Sequence, residues 1–165
     1  MEQDLRRAQG GLTFCGVGIA LFGMWGFVKA VLYNLFAASY VHDLLEKANI
    51  SPELEWLIQA IWIISAFFGA LLDVYVGTRA IREGRGGGKR KRVYLLVAVL
   101  LMVRNILALL QNLLLFSGPV TEVLDLAGES AMELVQAVNL AILIFYVRRV
   151  RRLSRGEKQE ERHAD

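Results

Sequence analysis

Apolar positions in this chain follow no short alternation. They fall in four blocks, at 12–37, 56–76, 93–116 and about 123–147, separated by short polar stretches. Each block is about 20 residues or longer, and at ~1.5 Å per residue that length crosses the ~30 Å hydrocarbon core of a bilayer. Lipid offers no partner to a backbone amide, so such blocks are expected to be α-helices. A soluble four-helix bundle would need a polar outer face on each helix, and these blocks have almost none. The pattern therefore predicts an all-α, polytopic membrane protein: a four-transmembrane-helix bundle made of two helical hairpins, with helices near 12–37, 52–77, 93–116 and 121–147.

Local signals punctuate these blocks. In "NISPELEW", Ser51 is placed to cap the second helix, Pro52 suits its first turn, and Glu53 and Glu55 favour its positive end. In "SGPVTEV", Gly118 and Pro119 break the third helix and Thr121 caps the fourth. The glycine-rich "GRGGGKRKR" makes 78–92 a flexible basic hinge between the hairpins, and the mixed-charge segment 148–165 is expected to fray beyond the membrane. The ends "DVYVGTRAIREGR" and "IFYVRRVRRLSRG" read alike at a 71-residue offset that also aligns Asn34 with Asn105. Duplication of one hairpin would produce this, and so would the aromatic and basic residues expected at any cytoplasmic interface.

Charge adds orientation. Of 19 Lys and Arg, seven lie in 79–92, seven from Arg148 onward, and two are Arg6 and Arg7, which leaves Lys29, Lys47 and Arg104. The loop 38–55 carries Lys47 beside Asp43, Glu46, Glu53 and Glu55. By the positive-inside rule the segment 1–11, the hinge and the tail are cytoplasmic, in a multi-pass protein of the plasma or inner membrane with both termini inside. The net charge of +3 follows from that layout and does not call for nucleic acid; anionic lipid head groups are the expected partners of the basic loop and tail. The first apolar run exceeds the 7–15 residues of a signal-peptide core, so it is expected to stay as a span. Cys15 is the single cysteine, and His42 and His163 fall outside the spans. With no metal-ligand spacing, no nucleophile–histidine pair and no true phosphate loop in "GRGGGKR", neither an enzyme nor a bound cofactor or metal is expected.

The polar residues inside the blocks raise the functional question. At ~100° per residue, Glu122, Asp125, Glu129, Glu133 and Gln136 share roughly 80° of the fourth helix, with Asn139 beyond them. On the third helix Arg104, Ala108, Gln111 and Leu115 form a strip flanked by Asn105 and Asn112. On the second, Gln59, Trp62, Ala66, Gly69, Asp73 and Gly77 align. On the first, Gly16, Ala20, Gly23 and Ala30 make a small-residue face suited to close packing. Counted from the cytoplasmic ends at ~1.5 Å per residue, Arg104 lies ~17 Å deep and Glu133 ~21 Å deep, so these two are expected to pair. Asp73 is expected nearer the cytoplasm, facing Arg79, Arg148 or Arg149. Lys29 lies ~5 Å below the outer interface, where it either reaches Glu129 or snorkels to head groups, with snorkelling favoured.

A few buried polar residues can simply fix helix register. Here Arg104, Glu129, Glu133, Gln136, Asn105, Gln111, Asn112 and Asn139 outnumber what one lock needs, and intramembrane ionisable groups mark solute or proton paths. Transport or permeation of a small solute or ion, with proton coupling, between the third and fourth helices is the leading expectation. Four spans rarely enclose a pathway, so this carries a homo-oligomer with it. The alternative is a non-catalytic membrane subunit or assembly factor that binds another membrane protein through the glycine face of the first helix.

Overall fold

The computed structural model describes residues 2–36, 52–86, 93–114 and 120–164, with side-chain surroundings given for 3–36, 54–86, 93–114 and 127–154. Expectations resting on Ser51, the acid-rich loop, the 87–92 hinge, Gly118 and Pro119, and the side chains of Thr121, Glu122, Asp125 and His163 lie outside those residues. The elements are α1 (Glu2–Phe36), α2 (Pro52–Gly84), α3 (Val93–Leu114) and α4 (Val120–Ala164). Each is long and apolar enough to cross a membrane, over Gln3–Phe36, Leu54–Gly84, Val93–Leu114 and Ala127–Ser154.

Three helices outrun their apolar blocks. α1 begins at Glu2, α2 continues to Gly84, and α4 continues to Ala164 through the segment expected to fray. Block edges mark where lipid ends, whereas Arg, Glu, Gln and Lys are good helix formers and carry the helix into water. α2 then stops on a left-handed cap: the Arg85 amide donates to the Ile81 carbonyl at 3.0 Å, the Gly86 amide to Glu83 at 3.1 Å, and Gly86 takes φ +75°.

The helices touch in opposite chain directions where they follow one another. Gly84 meets Gln9 and Thr13, Gly16 meets Gly77, Gly23 meets Asp73, and Tyr33 meets Trp62 across α1 and α2. Tyr94 meets Arg151 and Asn112 meets Glu133 across α3 and α4. α1 also packs along α4, with Gly11 against Tyr146, Gly18 against Asn139, and Lys29 against Glu129.

The α1–α2 seam is the tightest. A Cβ built on Gly16 would fall 2.7 Å from the Gly77 carbonyl oxygen, so the small face of α1 is spent on α2 inside the chain. Ala30, higher on that face, is buried as well. Apolar packing concentrates at one end of the bundle. Leu12, Cys15, Ile19, Val76, Ala80, Tyr94, Ala98, Leu101, Leu140, Leu143, Val147 and Val150 form a closed cluster there, next to the basic helix ends. Toward the other end large apolar side chains such as Leu35, Phe36, Trp56, Leu107 and Leu114 point outward, as lipid-facing residues do.

Candidate functional site

Immediately above the apolar cluster the bundle becomes polar. Asp73 on α2 is 2% exposed and Asn105 on α3 is 4% exposed. One oxygen of Asp73, Oδ2, accepts a hydrogen bond from Gln136 Nε2 at 3.0 Å and lies 3.7 Å from Arg104 Nη2. The Arg104 guanidinium also donates to Asn105 Oδ1 at 3.3 Å. Two glycines make room for this group. The Asp73 side chain lies against Gly23, where any Cβ would collide with it, and Arg104 Nη1 would stand 2.8 Å from a Cβ on Gly69. Asp73, Arg104, Asn105 and Gln136 thus join α2, α3 and α4, with α1 contributing only the space at Gly23.

Two further rungs lie along α4. One turn on from Gln136, Glu133 Oε2 accepts from Asn112 Nδ2 at 3.1 Å. Another turn on, Glu129 pairs with Lys29 at 2.6 Å, each side chain a little under half exposed. From Gln136 to Glu129 the ladder climbs ~10 Å at ~1.5 Å per residue. Its floor is apolar: Ile19, Val76, Leu101 and Leu140 are all buried beneath it. Its side is open, since Arg104 is 48% exposed although it stands in the middle of α3.

The geometry corrects the expected pairing. Arg104 is paired with Asp73, not Glu133, because Asp73 is not near the end of its helix. α2 runs eleven residues past Asp73 to Gly84, and Arg104 lies eleven residues after Val93, so both stand ~17 Å from the same end. Asp73 meets none of Arg79, Arg148 and Arg149 in an ion pair. Lys29 reaches Glu129 instead of snorkelling. The inward face of α3 runs through Tyr94, Ala98, Leu101 and Asn105, so it is centred on Asn105 and Asn112. Gln111 is consequently exposed. Asn139 lies against Gly18 of α1, about 120° around α4 from Glu133, which holds Asn112.

A second polar cluster, below the apolar floor, was not anticipated. Arg151 donates from Nε to Glu83 Oε1 at 2.8 Å and from Nη2 to Oε2 at 3.1 Å, the two-pronged geometry of a strong guanidinium–carboxylate pair. The Tyr94 hydroxyl donates to the same carboxylate, and the Arg151 guanidinium lies 5.9 Å from the Tyr94 ring centre. The Glu83 and Arg151 side chains are 10% and 16% exposed. The available signal was that Glu83 is the one acid in the basic stretch 79–92.

Three buried polar atoms have no partner among the described residues: Asp73 Oδ1, Asn105 Nδ2 and Ser130 Oγ. Asp73 Oδ1 and Asn105 Nδ2 belong to the polar group around Arg104, whereas Ser130 follows Glu129 farther along α4. The chain matches no protein-family model, and it shows no significant similarity to a curated protein or to a solved structure.

Proposed function

We propose that this protein is a small multi-pass membrane transporter or permease, moving a small solute or ion with proton coupling along the ladder from Lys29 and Glu129 to Asp73. The observation that carries the reading is Arg104. A half-exposed arginine midway along a membrane helix is expensive against lipid, at least ~2.5 kcal/mol on insertion scales, so its open side faces water or a second protein surface. A water-filled cleft entering beside α3 and ending on the apolar cluster satisfies that requirement, and pairing of two copies across the cleft would enclose it. Both termini then lie on the cytoplasmic side with the basic loop and tail, the two hairpins cross the membrane in the same sense, and the exposed arginines at that end meet anionic lipid.

The other reading, a non-catalytic subunit docking through the glycine face of α1, loses its surface, because α2 already covers Gly16 and Gly23. The test is flux of radiolabelled small solutes and of protons into proteoliposomes. Transport expects uptake that Glu133→Gln abolishes while the variant keeps its helical signal and melting profile. Uptake by neither protein, across cationic, anionic and neutral solutes, would overturn the reading.

A further inference from the structure

The edges of the bundle are not built alike. α1 meets α2 backbone to backbone at Gly16 and Gly77. α1 meets α4 nearly as closely, since Cβ atoms on Gly11 and Gly18 would fall 2.6 Å from the Tyr146 ring and 2.7 Å from Asn139 Nδ2. α2 and α3 are joined instead through long polar side chains: the Tyr94 hydroxyl on Glu83 at the basic end, and Arg104 beside Asp73 and Gly69 midway. α3 contains no glycine, and Gly69 meets the Arg104 guanidinium, not the α3 backbone. The share of the apolar cluster that α2 buries fully is small, Val76 and Ala80.

Two of the partnerless atoms lie on this same edge. Asp73 Oδ1 belongs to α2 and Asn105 Nδ2 to α3. Their residues converge on one nitrogen, Arg104 Nη2, which stands 3.7 Å from Asp73 Oδ2 and 3.3 Å from Asn105 Oδ1. A buried acceptor and a buried donor without partners are costly, and water admitted between α2 and α3 would serve both. Water can also take over the hydrogen bonds of Glu83, Tyr94 and Arg151, because folding exchanges such bonds with solvent at a small net change. It cannot replace the close backbone contact at Gly16 and Gly77.

We propose that the α2–α3 edge is a gate at the basic end of the bundle, with the α1–α4 seam as its hinge. The α1–α2 hairpin swings as one body, because its glycine seam does not part. Glu83 leaves Tyr94 and Arg151, and water from that end reaches Asp73 and Asn105. The latch on Glu83 is the closed position of this gate. Its use as the exit past the apolar cluster rests on the transport reading; the motion itself does not depend on flux.

The test is a pair of spin-label distances, measured by double electron–electron resonance on the full chain in detergent, on a Cys15→Ala background. One pair, Arg85→Cys with Leu96→Cys, spans α2 and α3. The other, Arg7→Cys with Arg149→Cys, spans α1 and α4. All four sites are exposed. The gate expects two distances across α2 and α3, with the share of the longer one raised several-fold by Tyr94→Phe. The α1–α4 pair is expected to keep one distance with and without that change. Glu83→Gln provides a second variant should Tyr94→Phe fail to fold. A single α2–α3 distance that neither folded variant changes would overturn the proposal, and so would equal spreading at both edges. Two α2–α3 distances without solute flux would leave the gate standing and end the transport reading. Flux with one unchanged distance would do the reverse.

Discussion

Arg104 shows how much a single side chain's surroundings depend on its neighbours' smallness. Its guanidinium occupies space left by Gly69, and its partner Asp73 occupies space left by Gly23. Removing the cation strands Asp73, which is 2% exposed. Breaking a buried pair costs ~3–5 kcal/mol, and half-exposure of Arg104 places this one at the lower end, ~3 kcal/mol. Arg104→Met is therefore expected to destabilise the protein by about that much, and Arg104→Met with Asp73→Asn to recover most of the loss. Chemical unfolding in mixed micelles would measure the cycle; additive losses would show that the two groups do not neutralise each other. Polar residues on the faces of α3 and α4 were legible in the sequence, and so was the need to neutralise Arg104. The partner was not, because a depth counted from the edge of an apolar block misplaces Asp73 by the seven residues that α2 runs on from 77 to 84, or ~10 Å.

Among the elements, α1 and α2 pack on backbone while α3 and α4 pack on side chains. The Gly16–Gly77 crossing brings two helix backbones together, which van der Waals contact rewards in a membrane. Gly77→Leu is expected to separate α1 from α2 and to cost more than the ~1–3 kcal/mol of ordinary overpacking. Gly26→Leu, where nothing lies within 4 Å of a built Cβ, should leave the melting temperature nearly unchanged. Equal effects of the two changes would mean that the seam is not a close contact. The existence of four helices and the small face of α1 followed from composition and periodicity. Which helix that face meets did not, since any span with its own small residues would serve.

At the scale of the molecule, one end is closed and the other open. The closed end combines the apolar cluster with the Glu83–Arg151–Tyr94 clamp, which ties α2, α3 and α4 together. Cys15, 6% exposed within that cluster, reports on its tightness. Glu83→Ala is expected to raise the rate of maleimide labelling at Cys15 several-fold in detergent, and an unchanged rate would show that the clamp does not hold the end shut. The orientation is tested separately. On a Cys15→Ala background, Gly87→Cys in sealed vesicles should resist an impermeant maleimide applied from outside, whereas Ala48→Cys should react. The opposite labelling would invert the topology proposed from the basic segments.

What the sequence determined by itself was solvent and class. The length and apolarity of four blocks demand helices in lipid, because a backbone there can satisfy its hydrogen bonds only internally, and this holds whatever the helices touch. The sequence also showed that polar groups on α3 and α4 need company. Tertiary structure alone decided the pairs: Arg104 with Asp73, Lys29 with Glu129, Glu83 with Arg151 and Tyr94. A guanidinium–carboxylate contact is set within a fraction of an ångström by helix depth, rotation and the gaps that glycines leave. Each of those is a property of two or more helices at once, and no single stretch of chain contains it.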